Sequence, residues 1–216
     1  MLKFQSKGAI LWDNDGVLVD TEKYFYEAAR VILKRAGIDF TVQMFTELIL
    51  VKSVGPWHLL KELGFNDETI LRLKAERDDL YMHYLQTENI LIDGVAEILE
   101  ELSGKKSMGV VTSSKPIHFY AAHERTKILR YIDFVITPED YKMYKPDPEP
   151  YLLGWKRTNL DKNQCLVVED SRRGLISAKA AGLDCIVIPN EMSIHSDFTE
   201  ADMILNNLTE LKNLLS

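Results

Sequence analysis

Two aspartates, Asp13 and Asp15, stand one residue apart directly after an apolar run, Ala9 to Trp12. Two carboxylates at the end of a strand can do complementary chemistry, because one can attack an electrophile such as phosphorus while the other moves a proton. The same Asp-x-Asp-Gly pattern is also typical of an ordinary turn, since Asp and Gly both favour turns. The pair therefore predicts a catalytic site only if other reactive side chains reach the same place.

Other polar side chains follow the later apolar runs in a similar way. Thr112, Ser113 and Ser114 follow the second run, which ends at Val111. Lys145 lies in the loop after the third run, which ends at Ile136, and Glu169 and Asp170 follow the fourth run, which ends at Val168. Taken singly, each group has a structural explanation as a turn or helix cap, a solvated lysine, or a charge near a helix N-terminus. Because ligands bind at the carboxyl ends of the strands in an open parallel sheet, all of these groups are expected at one rim.

Gathered at one rim, these groups suit phosphoryl transfer assisted by a metal. Clustered carboxylates repel one another, and oxygen ligands completed by waters and a substrate phosphate favour Mg²⁺. Hydroxyls, loop N–H groups and a lysine would hold the phosphoryl oxygens. The sequence contains no P-loop or glycine-rich nucleotide fingerprint, and its five histidines lack metal-ligand spacing, so they are expected on the surface or in helix packing.

Five continuously apolar runs, separated by helical signals, predict an α/β fold with a Rossmann-like parallel sheet. Continuous runs indicate strands that are covered on both faces, whereas alternating runs indicate strands with one exposed face. The runs are Ala9 to Trp12, Met108 to Val111, Phe134 to Ile136, Cys165 to Val168 and Cys185 to Ile188.

One long stretch, from Thr21 to Glu88, carries no convincing strand signal. Apolar residues at helical spacing predict four helices there, with Gly37 and Gly64 ending the first and the third. An all-helical cap domain is therefore predicted at residues 19–88, inserted into an α/β core domain of residues 1–18 and 89–216. Closure of the cap through hinges at its two ends is expected to exclude bulk water from the site.

In this arrangement the chain resembles the haloacid dehalogenase-like superfamily, in its phosphatase and beta-phosphoglucomutase branch with a helical cap. The resemblance covers nearly the whole chain and rests on four motifs in the family's order. They are Asp13-Asn14-Asp15-Gly16, Thr112, Lys145 within YKPDPEPYL, and VVEDSRRGLISAKAAG from Val167 to Gly182.

The resemblance implies a Mg²⁺-dependent reaction and a role in it for three of the matched residues. Asp13 is implied to be the nucleophile and a metal ligand. Asp15 is implied to be the general acid and base, and its main-chain carbonyl also binds the metal. Lys145 is implied to neutralise the nucleophile and the phosphoryl oxygens.

The other matched residues are implied to bind the phosphoryl group or the metal. Thr112 corresponds to the phosphoryl-binding position, with help expected from Ser113, Ser114 and nearby backbone N–H groups. Asp170 is implied to be a metal ligand. Glu169 is either a second ligand or a supporting group outside the ligand shell.

The resemblance also narrows the reaction, because dehalogenases of this superfamily lack the second aspartate that Asp15 supplies. The similar mutases carry an arginine in a cap stretch that reads LVKSVGPW here, and a histidine where Phe25 stands. We therefore predict a phosphatase that hydrolyses a small phosphorylated metabolite, with a sugar phosphate as the candidate, through an aspartyl phosphate. Lys52 could replace the arginine, which keeps a phosphomutase as the alternative. A catalytically silent phosphate-binding protein is the other alternative.

Composition limits the remaining possibilities. A net charge of −7 gives no electrostatic reason to expect binding to nucleic acid or to an anionic membrane. No apolar run approaches the roughly 20 residues that span a bilayer, and no signal peptide is evident, so a cytoplasmic protein is expected. Cys165 and Cys185 are expected to be buried free thiols. A monomer is the expected state.

Overall fold

The computed structural model of the chain describes residues 2–52 and 54–215. The chain forms two compact units, one of Met1–Asp20 with Ile90–Ser216 and one of Thr21–Asn89. Ser53, which belongs to the LVKSVGPW stretch, lies outside the described residues.

The first unit is built on a parallel sheet. Its strands are β1 (Ala9–Trp12), β2 (Ser107–Val111), β3 (Phe134–Ile136), β4 (Cys165–Glu169), β5 (Asp184–Val187) and β6 (Met203–Ile204). The strand order is β3-β2-β1-β4-β5-β6, and every neighbouring pair is parallel. This confirms the predicted α/β class with a Rossmann-like sheet. β6 is absent from the predicted runs because two residues are too short to leave a periodic signal.

The strand β1 lies at the position in the sheet where a ligand-binding site is expected. It lies between β2 and β4, and Trp12 pairs with Val110 on one side and with Val168 on the other. The segment that follows β1 therefore begins between the carboxyl ends of β2 and β4, where the strand order reverses direction. In open α/β sheets this switch point is where a ligand-binding crevice forms.

Alternate strand residues face two apolar layers on opposite faces of the sheet. One layer includes Ile10, Trp12, Met108, Val110, Leu166, Val168 and Ile186. The other includes Ala9, Leu11, Val111, Cys165, Val167, Cys185 and Val187. The strands are therefore covered on both faces, which explains their continuous apolarity. Cys165 and Cys185 are buried free thiols, as predicted.

Helices precede, connect and follow the strands of the first unit. They are α1 (Leu2–Gln5), which precedes β1, and then α6 (Val95–Leu102), α7 (Pro116–Thr126), α8 (Glu149–Thr158), α9 (Arg172–Ala180) and α10 (Leu208–Leu215). Short 3₁₀ turns lie at Ile128–Tyr131 and Lys162–Gln164. No helix among the described residues is both long enough and apolar enough to span a bilayer.

The second unit contains helices and no strand within its described residues. Its elements are α2 (Glu22–Arg35), α3 (Val42–Phe45), a π-helical segment (Thr46–Val51), α4 (His58–Glu62) and α5 (Asp67–Thr87). Aromatic rings fill its interior, with Phe25 edge-on to Tyr81 at 5.1 Å and Tyr26 edge-on to Phe45 at 5.4 Å between ring centroids. Such pairs pack α2 against α5 and α3.

Candidate active site

The turn after β1 carries Asp13 and Asp15. The Asp13 N–H donates to the Val168 carbonyl at 2.9 Å, which extends the contact between β1 and β4 by one residue. The Asn14 carbonyl then accepts the N–H of Leu18 at 2.9 Å, so the chain turns away directly after the strand. Both aspartates therefore lie at the switch point of the sheet.

Lys145 connects the residue after β1 with the last residue of β4. Its Nζ donates to Asp13 Oδ1 at 2.5 Å, to Glu169 Oε1 at 2.8 Å and to the Val111 carbonyl at 2.9 Å. The residue is only 3% exposed. Although burial works against the charge, the Asp13 and Glu169 carboxylates raise the pKa of Lys145. The ammonium is therefore a fixed positive charge between two acidic groups.

Glu169 is fully buried, and both of its carboxylate oxygens accept hydrogen bonds. Oε1 accepts from Lys145 and from the Tyr151 hydroxyl, each at 2.8 Å. Oε2 accepts from the Asp170 N–H, the Ser171 N–H and the Ser171 hydroxyl. Although burial opposes it, Lys145 and these hydrogen bonds lower the pKa of Glu169. Because these donors occupy the lone pairs of the carboxylate, the geometry favours a supporting role for Glu169 over direct metal binding.

The neighbourhood of Asp13 is short of positive charge. Burial raises the pKa of Asp13 to about 8, with the Glu169 charge acting in the same direction and Lys145 opposing both. Oxygen atoms of Asp13, Glu169 and Asp170 lie within 4.8 Å of one another. Hard oxygen donors around an excess of negative charge suit a divalent cation such as Mg²⁺. The residues present therefore fit the predicted metal, and the roles of Asp13 and Asp170 as its carboxylate ligands stay a prediction.

The loop after β2 reaches the other aspartate. The Ser114 hydroxyl donates to Asp15 Oδ2 at 2.7 Å, and the Thr112 hydroxyl lies 3.3 Å from the same oxygen. The Thr112 hydroxyl also accepts the Ser114 N–H at 2.9 Å, which ties the loop together. Ser113 Oγ is buried without a hydrogen-bonding partner in the described part of the chain, and its role in phosphate binding stays a prediction.

A buried histidine supports the turn between the two aspartates. His123, on α7, has Nε2 at 2.7 Å from Asn14 Oδ1 and Nδ1 at 2.9 Å from Thr126 Oγ1. An amide oxygen only accepts, so Nε2 carries the proton and Nδ1 accepts from the threonine. Burial lowers the pKa of His123 to about 4, against the raising effect of the Asp15 charge. The ring is therefore neutral and part of the packing, in line with the prediction for the histidines.

Three supporting residues, Tyr151, His123 and Asn190, contact this cluster and are not identified by sequence reasoning. Tyr151 lies inside the quoted lysine motif, six residues after Lys145, and carries no assigned role there. Asn190 follows the fifth apolar run, so the rule that selected the other strand-end residues would have found it. His123 leaves no comparable signal, because it reaches the turn only through the packing of α7.

Comparisons with known proteins identify the family to which the chain belongs. The model of the haloacid dehalogenase-like hydrolase family matches residues 10–188. A phosphorylated carbohydrates phosphatase of Thermotoga maritima is 31% identical, over 82% of this chain and 83% of that protein. The fructose-1-phosphate phosphatase YqaB of Escherichia coli is 25% identical, over 85% of this chain and 97% of that protein.

The fold has a close counterpart among solved structures. CbbY from Rhodobacter sphaeroides, crystallised in complex with phosphate, matches with a TM-score of 0.80 and 24% identity. The match covers 95% of this chain and 96% of that chain, so the likeness extends over both units. On the family match and the sequence relatives together, the chain belongs to the haloacid dehalogenase-like hydrolases.

Proposed function

We propose that this hydrolase is a Mg²⁺-dependent phosphatase that cleaves a small phosphomonoester by way of a phosphoryl group carried on Asp13. The observation that carries the proposal is the pairing around the two aspartates. Lys145 binds the Asp13 carboxylate, and the Ser114 hydroxyl binds the Asp15 carboxylate, at the switch point of one sheet. The two acids thus have different partners, as separate nucleophilic and proton-transfer roles require.

In the first half-reaction, a carboxylate oxygen of Asp13 attacks phosphorus and the bond to the ester oxygen breaks. Asp15, in its protonated form, gives its proton to the departing alkoxide, which leaves as an alcohol. The Lys145 ammonium fixes the orientation of the nucleophile. It also offsets the negative charge of the phosphoryl oxygens during transfer.

In the second half-reaction, water attacks the phosphoryl group on Asp13. Asp15 is now a carboxylate and takes a proton from the water, so inorganic phosphate leaves and both residues return to their starting states. The Thr112 and Ser114 hydroxyls contact Asp15 in the resting protein. We assign them, with Ser113 and the N–H groups of the loop, to binding the phosphoryl oxygens.

Asp13, Asp170 and the main-chain carbonyl of Asp15 are the groups that would hold Mg²⁺. When bound, the metal supplies the positive charge that keeps Asp13 ionised and screens it from the phosphate. Glu169 is assigned to holding Lys145 in place, because both of its oxygens accept other donors.

We assign the substrate to the sugar phosphates. The support is that one relative is named for phosphorylated carbohydrates and another for fructose 1-phosphate. A panel of small phosphorylated metabolites, with kcat/KM measured from phosphate release, ranks the substrates. Interconversion of glucose 1- and 6-phosphate without release of phosphate would favour the phosphomutase instead.

The direct test is turnover of p-nitrophenyl phosphate with and without Mg²⁺. We expect Asp13→Asn to lower kcat by about 10³-fold or more, because the nucleophile is lost. Asp15→Asn is expected to lower it by about 10²- to 10⁴-fold, because proton transfer is lost. Asp39→Asn is the matched control, since Asp39 is an exposed aspartate of the helical unit.

Two results would contradict the proposal. One is Asp13→Asn with the turnover of the wild type, and the other is a wild-type protein that binds phosphate but hydrolyses no ester. The second result would point to the silent phosphate-binding protein.

A further inference from the structure

We infer that Asn190 is a positioning residue that holds the Asp170 carboxylate in the orientation needed to bind Mg²⁺. The inference rests on the proposed function, because it assumes that Asp170 is a metal ligand. Asn190 follows β5 and lies outside the motifs that carry the family resemblance. Its Nδ2 donates to Asp170 Oδ2 at 2.7 Å.

The orientation of the Asn190 amide is fixed by its own turn. Its Oδ1 accepts the N–H groups of Met192 at 2.8 Å and Ser193 at 3.1 Å. Its backbone N–H donates to the Ser193 hydroxyl at 3.0 Å. Since the amide oxygen faces two donors, the NH₂ group must face the Asp170 carboxylate. The side chain therefore presents a rigid donor to Asp170.

The contact between Asn190 and Asp170 packs against the main chain of Gly16, which has no side chain. Gly16 has a positive φ of 88°, and a Cβ on it would lie 2.2 Å from Asp170 Oδ2 and 2.7 Å from Asn190 Nδ2. The loops after β1, β4 and β5 thus converge on one carboxylate oxygen. This convergence ties Asp170 to the turn that carries Asp13 and Asp15.

Holding Asp170 Oδ2 in place also sets the position of Oδ1, because the two carboxylate oxygens rotate together about the same side-chain torsion angle. Without the amide, the Asp170 carboxylate would lose one of the contacts that orient it, and binding the metal would cost more free energy of ordering. Partners outside the ligand shell commonly change metal affinity by about 10- to 100-fold when they are removed. Asn190 therefore should act on metal affinity more than on the stability of the fold.

The test is the affinity of the purified protein for Mg²⁺ alone, measured by isothermal titration calorimetry. In Asn190→Ser a hydroxyl can still accept N–H groups in the turn but is too short to reach Asp170. We expect its Kd for Mg²⁺ to rise about 10- to 100-fold. Ser193→Ala is the matched control, because it removes a hydrogen bond of the same turn and keeps the amide on Asp170. Its Kd should stay within about threefold of the wild type.

The outcomes separate this inference from the proposed function. Saturable Mg²⁺ binding by the wild type and its loss in Asp170→Ala would support the metal site, whatever the result for Asn190. With that site present, a wild-type Kd in Asn190→Ser would overturn the inference alone, as would an equal rise in Ser193→Ala. A wild-type protein that binds no Mg²⁺ would overturn both. Melting temperatures and circular dichroism of each variant show whether a changed Kd comes from a folded protein.

Discussion

At the scale of single residues, the two neighbouring acids Glu169 and Asp170 have different surroundings. Glu169 is fully buried at the end of β4 and accepts hydrogen bonds on both oxygens. Asp170 comes directly after the strand and contacts the Asn190 amide. The sequence presents the two as one acidic pair. Only their partners separate Asp170, the proposed metal ligand, from Glu169, which binds Lys145.

Glu169→Gln should therefore act mainly on stability. Both oxygens of Glu169 accept hydrogen bonds, so the NH₂ group of the glutamine would face other donors in either orientation. In addition, Lys145 loses one of its two neighbouring negative charges. We expect the free energy of unfolding, measured by urea denaturation, to fall by about 3–5 kcal/mol.

Asp170→Asn is the comparison for the role of Glu169. It should abolish measurable Mg²⁺ binding in calorimetry, whereas Glu169→Gln should weaken that binding far less. Equal losses of Mg²⁺ affinity in the two variants would show that Glu169 binds the metal directly.

At the scale of elements, the turn after β1 depends on a residue without a side chain. Gly16 adopts a left-handed φ, and Asp170 packs where a Cβ would lie. Gly104, in the turn before β2, also has a positive φ of 72°, but a Cβ there would meet no atom within 4 Å. Substituting alanine at each glycine therefore separates the effect of backbone strain, which both variants share, from the effect of a clash with Asp170, which only the Gly16 variant has.

Gly16→Ala should impair the site, while Gly104→Ala should cost only backbone strain. For Gly104→Ala we expect a loss of about 1 kcal/mol in the free energy of unfolding and unchanged kcat. Gly16→Ala should cause the same backbone strain and should also displace the Asp170 side chain. We therefore expect at least tenfold weaker Mg²⁺ binding and a lower kcat. Urea denaturation, calorimetry and phosphate release measure the three quantities. If Gly16→Ala has the kcat and Mg²⁺ affinity of Gly104→Ala, the packing argument fails.

At the scale of the whole molecule, burial of His123 connects folding to pH. The neutral ring is favoured in the folded state, where its pKa is about 4, compared with 6.5 for an ordinary histidine. Above about pH 6.5 the ring is neutral whether the chain is folded or unfolded, so its full contribution to stability is present. As the pH falls towards 4, the unfolded chain takes up the proton first, and that stability is lost.

His123→Gln should flatten this pH dependence. The glutamine amide can still donate to Asn14 but does not titrate, whereas the wild type should lose about 3 kcal/mol more stability between pH 6.5 and 4. Urea denaturation of both proteins across this range measures the difference. The carboxylates that titrate in the same range are common to both proteins and cancel in the comparison. Parallel curves for the two proteins would mean that the pKa of His123 is the same in the folded and unfolded chain, which would contradict the effect of burial.

The amino-acid order alone predicts strands β1 to β5 of the parallel sheet, the helical character of the stretch after β1, and the strand ends where the polar groups lie. It could do so because burial on both faces makes a strand continuously apolar, and because a parallel sheet collects its carboxyl ends at one rim. Which groups are in contact depends on the packing of the folded chain, as for Asn190 with Asp170 and His123 with Asn14. These contacts join segments far apart in the chain, and no local pattern records the loop and helix packing that brings them together.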